Sequence, residues 1–76
     1  MDYTKTQANV PYLTIFEEQD GSTNYSIKKG IFYIPDLKAK MKAFRVMKHT
    51  NYSKPIVEYC FQKVQAEIML KELKAQ

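Results

Sequence analysis

Apolar residues in the first half of the chain occur in short runs that are typical of strands. Residues 12–16 are β-formers, and the Asp-Gly pair ending at Gly21 marks a turn after them. We therefore expect a β-hairpin over residues 12–27, although the periodicity equally allows a flexible arm that orders on a partner. A second run, residues 31–34, predicts a strand that Pro35 ends, because proline cannot donate to a ladder.

A helical period follows this strand. Leu37, Met41 and Phe44 recur at i, i+4 and i+7, which would place them on one face of a helix. Asp36 precedes them and is a good N-cap, since its carboxylate can accept hydrogen bonds from the free amides of a first turn. These signals predict a helix over residues 36–49.

The last third of the chain also carries helix signals. Ser53 is a favourable N-cap, and Pro55 suits a first turn, where a missing amide proton costs nothing. We expect a second helix over residues 54–74. Its apolar stripe would consist of Val57, Cys60, Phe61, Val64 and Ile68.

Together these elements predict an α+β fold in a single domain. Residues 1–28 would form an N-terminal arm or hairpin, and residues 29–76 a strand-helix-helix core. A chain of 76 residues buries a small share of its surface, so we expect good helix packing or a partner subunit to stabilise it. One cysteine cannot form an internal disulfide, and one histidine beside it does not supply the four ligands of structural zinc.

Positive charge is concentrated in the middle of the chain. Residues 28–54 carry eight basic residues and one acid, a net charge of +7, whereas the chain as a whole carries +4. On the expected helix, Lys38, Lys42, Arg45 and His49 would form a stripe beside the apolar face. This concentration favours a polyanionic partner, although a solvated lysine-rich surface has the same composition.

The sequence does not assemble a catalytic set. The only histidine, His49, has no acid near it in the sequence, and Cys60 falls on an apolar stripe, as a small buried hydrophobic residue does. With two glycines the chain has no phosphate loop. We expect a non-enzymatic protein without cofactor, metal or small-molecule substrate. The chain lacks an apolar run that could span a bilayer or serve as a signal peptide, which predicts a cytoplasmic protein.

A strand, a capped helix, a tight turn and a second capped helix resemble the ribbon-helix-helix family of DNA-binding proteins. The resemblance rests on the run Lys29–Pro35, the 36–49 helix, the turn Thr50–Lys54 and the stripe of the second helix. It covers about three-fifths of the chain. Two features depart from the family pattern: Gly30 stands where an inward apolar residue is expected, and residues 35–53 are about one residue too long.

The resemblance implies a homodimer whose paired strands enter the DNA major groove, in a phage- or plasmid-type transcriptional regulator or accessory factor. Lys29, Ile31 and Tyr33 would face the bases, and the amides of Ser53 and Lys54 would hold a phosphate at a helix N-terminus. Non-specific attraction would come from Lys28, Lys38, Lys42 and Arg45. The dimer core would consist of Phe32, Ile34, Val57, Phe61 and Val64.

A different plan fits the same residues. The hairpin and residues 31–34 would form a three-stranded antiparallel sheet covered by two helices, in a monomer. Small lysine- and tyrosine-rich chains of this plan resemble phage or mobile-element inhibitors of a host enzyme or defence complex. Such a protein would bind a host protein or nucleoprotein complex through its basic, tyrosine-rich surface, since tyrosine provides contact area at low entropic cost.

Overall fold

A computed structural model describes residues 12–76, which form one four-stranded antiparallel sheet and one helix. The strands follow one another across the sheet in chain order. The elements are β1 (Tyr12–Asp20), β2 (Thr23–Ile34), β3 (Ala39–Thr50), β4 (Ile56–Cys60) and α1 (Lys63–Ala75). None of the helical structure in residues 12–76 has the length and apolar character needed to cross a bilayer.

Two tight connections set the register of the sheet. Gly21 and Ser22 join β1 to β2, and the φ angle of 63° at Gly21 is the one that a type II′ turn requires at its first central residue. Four residues join β2 to β3, where the amide of Leu37 donates to the carbonyl of Ile34 at 3.0 Å. The β2–β3 ladder then runs without interruption for the full length of both strands.

The main core lies between the sheet and α1. Ile27 and Val46 are directly opposite each other on β2 and β3, and both are almost fully buried. From α1, Ala66, Leu70 and Leu73 pack against them at i, i+4 and i+7. The sheet adds Tyr25 and Cys60 to this core, with Phe16, Phe44 and Met69 at its margin.

Two side chains of the sheet hold α1 at its C-terminal end. The ammonium group of Lys48 on β3 donates to the carbonyl oxygen of Leu73 at 3.1 Å, where the helix dipole favours a cation; the same oxygen also accepts from the amide of Gln76. Lys74 forms an ion pair with Glu18 of β1. At the other end Gln62 occupies the N-cap position without a side-chain cap, so packing fixes the start of the helix.

A second, smaller cluster lies on the far face, the side of the sheet opposite α1. It is built from Phe32, Ile34 and Ala43, with Tyr12 and Tyr59 packed against them. A β-bulge between Thr14 and Phe16 interrupts the β1–β2 register. Because one extra residue reverses the alternation of a strand, Tyr12 lies on the far face and Phe16 on the face under α1.

The helix expected over residues 36–49 is wrong, because residues 39–50 form β3. Leu37, Met41 and Phe44 do have helical spacing, but Lys38–Ala43 also alternates strictly between polar and apolar residues. Pairing with β2 along twelve residues satisfies the backbone of this segment and buries Ala43 and Val46. Tertiary pairing therefore overrides a local helical pattern.

The helix expected over residues 54–74 is wrong in its first half. Residues 56–60 form β4, and α1 begins at Lys63. Ser53 caps no helix; its amide donates to the carbonyl of Thr50 at 3.0 Å within the β3–β4 connection. The helix also packs against the sheet by a different face than expected. Val64 and Ile68, which were expected on the buried stripe, are 56% and 52% exposed.

The expected fold class is therefore corrected in both of its forms. A ribbon-helix-helix subunit and a three-stranded sheet with two helices each need two helices, whereas residues 12–76 contain four strands and one helix. The strand expected over 31–34 is the last third of β2, which begins at Thr23 and runs across the expected boundary at residue 28. Residues 1–11 of the expected arm lie outside the described residues.

Candidate nucleic-acid interface

The far half of the β2–β3 hairpin extends beyond its neighbours in the sheet. The β1–β2 ladder ends at Gly30, and the β3–β4 ladder ends at Phe44. Within the part of the chain that the structure describes, residues 31–34 and 39–42 therefore pair only with each other. They form a two-stranded antiparallel ribbon, called here the β2–β3 ribbon.

One face of the β2–β3 ribbon is both basic and exposed. Ile31 lies directly opposite Lys42, and Tyr33 lies opposite Lys40. Since residues opposite each other in a ladder share a face, these four side chains form one surface, called here the ribbon face. Ile31 and Tyr33 are 51% and 54% exposed, and both lysines are exposed.

Two further lysines flank the ribbon face. Lys29 lies at its base on the same side of β2, with its ammonium group 5.7 Å from the centre of the Phe44 ring. Lys38 lies in the β2–β3 turn with a φ angle of 52°. Residues 29–42 thus hold four lysines against one acid, Asp36. An exposed strand pair with this charge balance has a positive potential along its length.

The opposite side of the ribbon is packed against the rest of the molecule. Phe32 and Ile34 alternate with Ile31 and Tyr33 along β2, and both are buried in the far-face cluster. The rings of Phe32 and Tyr59 approach to 6.0 Å between centroids. This packing anchors the ribbon by one face and leaves the other face free to contact a partner.

The structure brings together only part of the expected site. Lys29, Ile31, Tyr33 and Lys42 share one side of the hairpin, with Lys38 in the adjoining turn. Lys28 and Arg45 are opposite each other on the far face. Ser53 and Lys54 follow β3, at the end of the sheet away from the ribbon, and no helix begins there to offer amides to a phosphate.

Sequence reasoning missed Lys40. The stripe expected on a helix contained Lys38 and Lys42 but not Lys40, since 3.6 residues per turn separates Lys40 from them. On a strand, period two puts Lys40 and Lys42 on the same side. The alternation Lys38-Ala39-Lys40-Met41-Lys42-Ala43 is the signal that identifies it.

The residues expected in a dimer core fall into two groups. Phe32 and Ile34 are buried within one chain, in the far-face cluster. Val57, Phe61 and Val64 are exposed at or near the β4 edge and on the outer side of α1.

Residues 12–76 contain few side chains arranged to act as a nucleophile or as metal ligands. Cys60 is buried between sheet and helix, where its thiol donates to the carbonyl of Gln62 at 3.6 Å. Burial raises the pKa of this thiol above its ordinary value, which disfavours the thiolate that a nucleophile needs. Within the same residues no three His, Cys, Asp or Glu side chains are grouped as metal ligands would be.

Comparison of the chain with known protein families, with curated protein sequences and with solved structures found no match to any of them.

Proposed function

We propose that this protein binds duplex DNA through the ribbon face of its β2–β3 hairpin. The observation that carries the proposal is the pairing of Ile31 with Lys42 and of Tyr33 with Lys40 on one exposed side of a two-stranded ribbon. Two strands about 4.8 Å apart, with their side chains, fit a major groove roughly 12 Å wide. A groove of this width admits a two-stranded ribbon and brings its outward side chains close to the base edges.

The side chains of the ribbon face have the chemistry that base edges require. A lysine ammonium group donates to the O6 and N7 acceptors of guanine, and an isoleucine side chain contacts the methyl group of thymine. We assign this role to Lys40 and Lys42, which share the ribbon face with Ile31 and Tyr33. We assign contacts with the phosphate backbone to Lys29 and Lys38, which flank the face.

A matched pair of double variants tests the proposal. Fluorescence anisotropy of a labelled duplex is measured with the wild type, with Lys40→Gln/Lys42→Gln, and with Lys63→Gln/Lys71→Gln on α1. Each lysine–phosphate contact adds about one unit to the slope of log affinity against log salt. Since Lys40 and Lys42 would contact base edges rather than phosphates, we expect the ribbon variant to lose about tenfold in affinity while its slope changes by less than about one unit. The α1 variant should keep most of the wild-type affinity and most of the wild-type slope.

Three outcomes contradict the proposal. The first is the absence of duplex binding at low salt, and the second is an equal loss in the ribbon and α1 variants, which would indicate attraction by net charge alone. A single-stranded oligonucleotide that binds as tightly as the duplex would show that the ribbon does not use the major groove.

A second function, binding to a host protein, is favoured by one observation. Apolar side chains surround the ribbon face, and Leu13, opposite Lys29 on β1, is 68% exposed while Leu37 in the turn is 51% exposed. Exposed apolar residues rimmed by charge are common in protein interfaces. In this case Leu13→Ser and Leu37→Ser reduce partner binding more than the lysine variants do, and salt has little effect.

A further inference from the structure

Lys28 and Arg45 are direct cross-strand partners on the far face of the sheet. Like charges at directly opposite positions repel each other, and a sheet normally avoids this arrangement or inserts an acid. Here the neighbouring cross-strand partners are Thr14 of β1, opposite Lys28, and Tyr59 of β4, opposite Arg45. Neither carries a negative charge, so the repulsion is not relieved along this rung.

Aromatic rings hold both cationic groups in place. The Lys28 ammonium group lies 4.9 Å from the centroid of the Tyr12 ring, and the Arg45 guanidinium carbon lies 5.5 Å from the same centroid. Arg45 also lies 4.8 Å from the Phe32 centroid. Because the Tyr12 ring attracts both Lys28 and Arg45, it brings the two cations towards the same point. The Tyr12 ring also stacks on Phe32, with 5.8 Å between ring centroids, and the two rings form a floor beneath the cations.

The hydrogen-bonding capacity of this pair is not used within residues 12–76. The ion pair that these residues contain joins Lys74 to Glu18, at another place, and Glu17, two rungs from Lys28 on the same face, takes part in none. The Nε atom of Arg45 is buried without a hydrogen-bond partner. A buried unpaired donor costs stability unless an acceptor reaches it.

We infer that Lys28 and Arg45 form an oxyanion site, with Tyr12 and Phe32 as its floor, that takes a phosphate group. Guanidinium presents a planar set of donors to two phosphate oxygens, and ammonium adds a compact positive charge beside it. An anion between the two cations replaces their repulsion with two attractions. This inference does not rest on the proposed function, because the ribbon face and the far face are opposite sides of the hairpin.

Titration with inorganic phosphate tests the site. Amide chemical shifts of ¹⁵N-labelled protein are followed against a potassium chloride control at equal ionic strength, in the wild type and in Lys28→Gln, Arg45→Gln and Lys54→Gln. We expect saturable shifts centred on residues 28 and 45, and at least a fivefold weaker affinity in the first two variants. Lys54, in the exposed β3–β4 connection, is the matched control and should leave the affinity unchanged.

Phosphate shifts that equal those of chloride, or a Lys28→Gln variant with wild-type affinity, overturn the inference. Should Arg45→Gln fail to fold because its side chain covers Phe32, Lys28→Gln and the conservative Arg45→Lys variant decide the question. In Arg45→Lys the charge remains but the planar donors are lost, so weaker binding is expected.

One further ligand, a mononucleotide, identifies the source of the phosphate. A mononucleotide that binds more tightly than inorganic phosphate points to a base stacked on the neighbouring rings, whereas equal affinities point to the phosphate group alone. The double variant Lys40→Gln/Lys42→Gln separates this site from the ribbon face. It should retain phosphate binding even though its affinity for duplex DNA falls, and a parallel fall of both affinities would show that one diffuse positive surface accounts for the two effects.

Discussion

Buried residues of the main core are few, so each has a large effect on stability. Val46 is completely buried at the centre of β3, between Ile27 on β2 and the inner side of α1. Val64 is 56% exposed on the opposite side of α1. The two valines therefore allow the same substitution to be compared in a core and on a surface.

We expect Val46→Ala to lower the free energy of unfolding by about 2 kcal/mol, from lost burial and the cavity left behind. Val64→Ala should change it by no more than about 0.5 kcal/mol, since an exposed valine loses little. Urea denaturation followed by circular dichroism measures both. Equal effects would contradict the packing of α1 on β3.

Cys60 makes the stability of the same core depend on pH. Burial raises the pKa of its thiol, so the folded chain keeps this proton at a pH where the unfolded chain, with an ordinary value of 9.0, has lost it. The contribution of Cys60 to the free energy of unfolding is therefore fully present below pH 9.0. It is lost as the pH rises from 9.0 through the raised pKa of the folded chain. Between pH 8 and 10 the melting temperature of the wild type should fall more than that of Cys60→Ala. Parallel curves would show that the thiol is not desolvated.

The β1–β2 turn is the element whose sequence and geometry agree most closely. Asp-Gly marks it in the sequence, and Gly21 has the positive φ that the turn needs. A Cβ atom at this position would meet no other atom within 4 Å, so any cost of a side chain is conformational. We expect Gly21→Ala to destabilise the chain by about 1 kcal/mol. Ser22→Ala is the control, and a similar loss in both would contradict the assigned turn.

Element types beyond this turn were predictable only in part. The β-formers of residues 12–16 and 31–34 do lie in strands. The segment Leu37–Phe44 satisfied both a helical and an alternating pattern, and what decides between them is a twelve-residue partner strand that no local window contains. Ser53-Lys54-Pro55 looked like a helix start, although proline equally suits the residue before an edge strand.

The residues of the candidate site on β2 were predictable from the sequence, whereas those on β3 were not. Period two along β2 already separated Lys29, Ile31 and Tyr33 from Phe32 and Ile34, and this separation depends on the strand alone. The positions of Lys40, Lys42 and Arg45 depend on whether residues 39–50 form a helix or a strand, so they could not be assigned from a helical period.

At the scale of the whole molecule, positive charge is divided between the two sides of one hairpin. Lys40 and Lys42 lie on the ribbon face, whereas Lys28 and Arg45 lie on the far face. The acidic residues Glu17, Glu18 and Asp20 are gathered on β1, at the edge of the sheet. A single chain thus presents a basic hairpin beside an acidic edge, which orients the molecule as it approaches a polyanion.

The β-bulge near Ile15 also affects how readily the sheet edge pairs with a strand from another molecule. A sheet of four strands has two outer edges whose free backbone groups can recruit a strand from another molecule. A bulge makes the backbone spacing of β1 irregular, and the carboxylates that follow it repel an identical edge. At the opposite edge, β4 is five residues long and follows Pro55. The irregularity that turns Tyr12 and Phe16 to different sides thereby also disfavours pairing of β1 with a strand from another molecule.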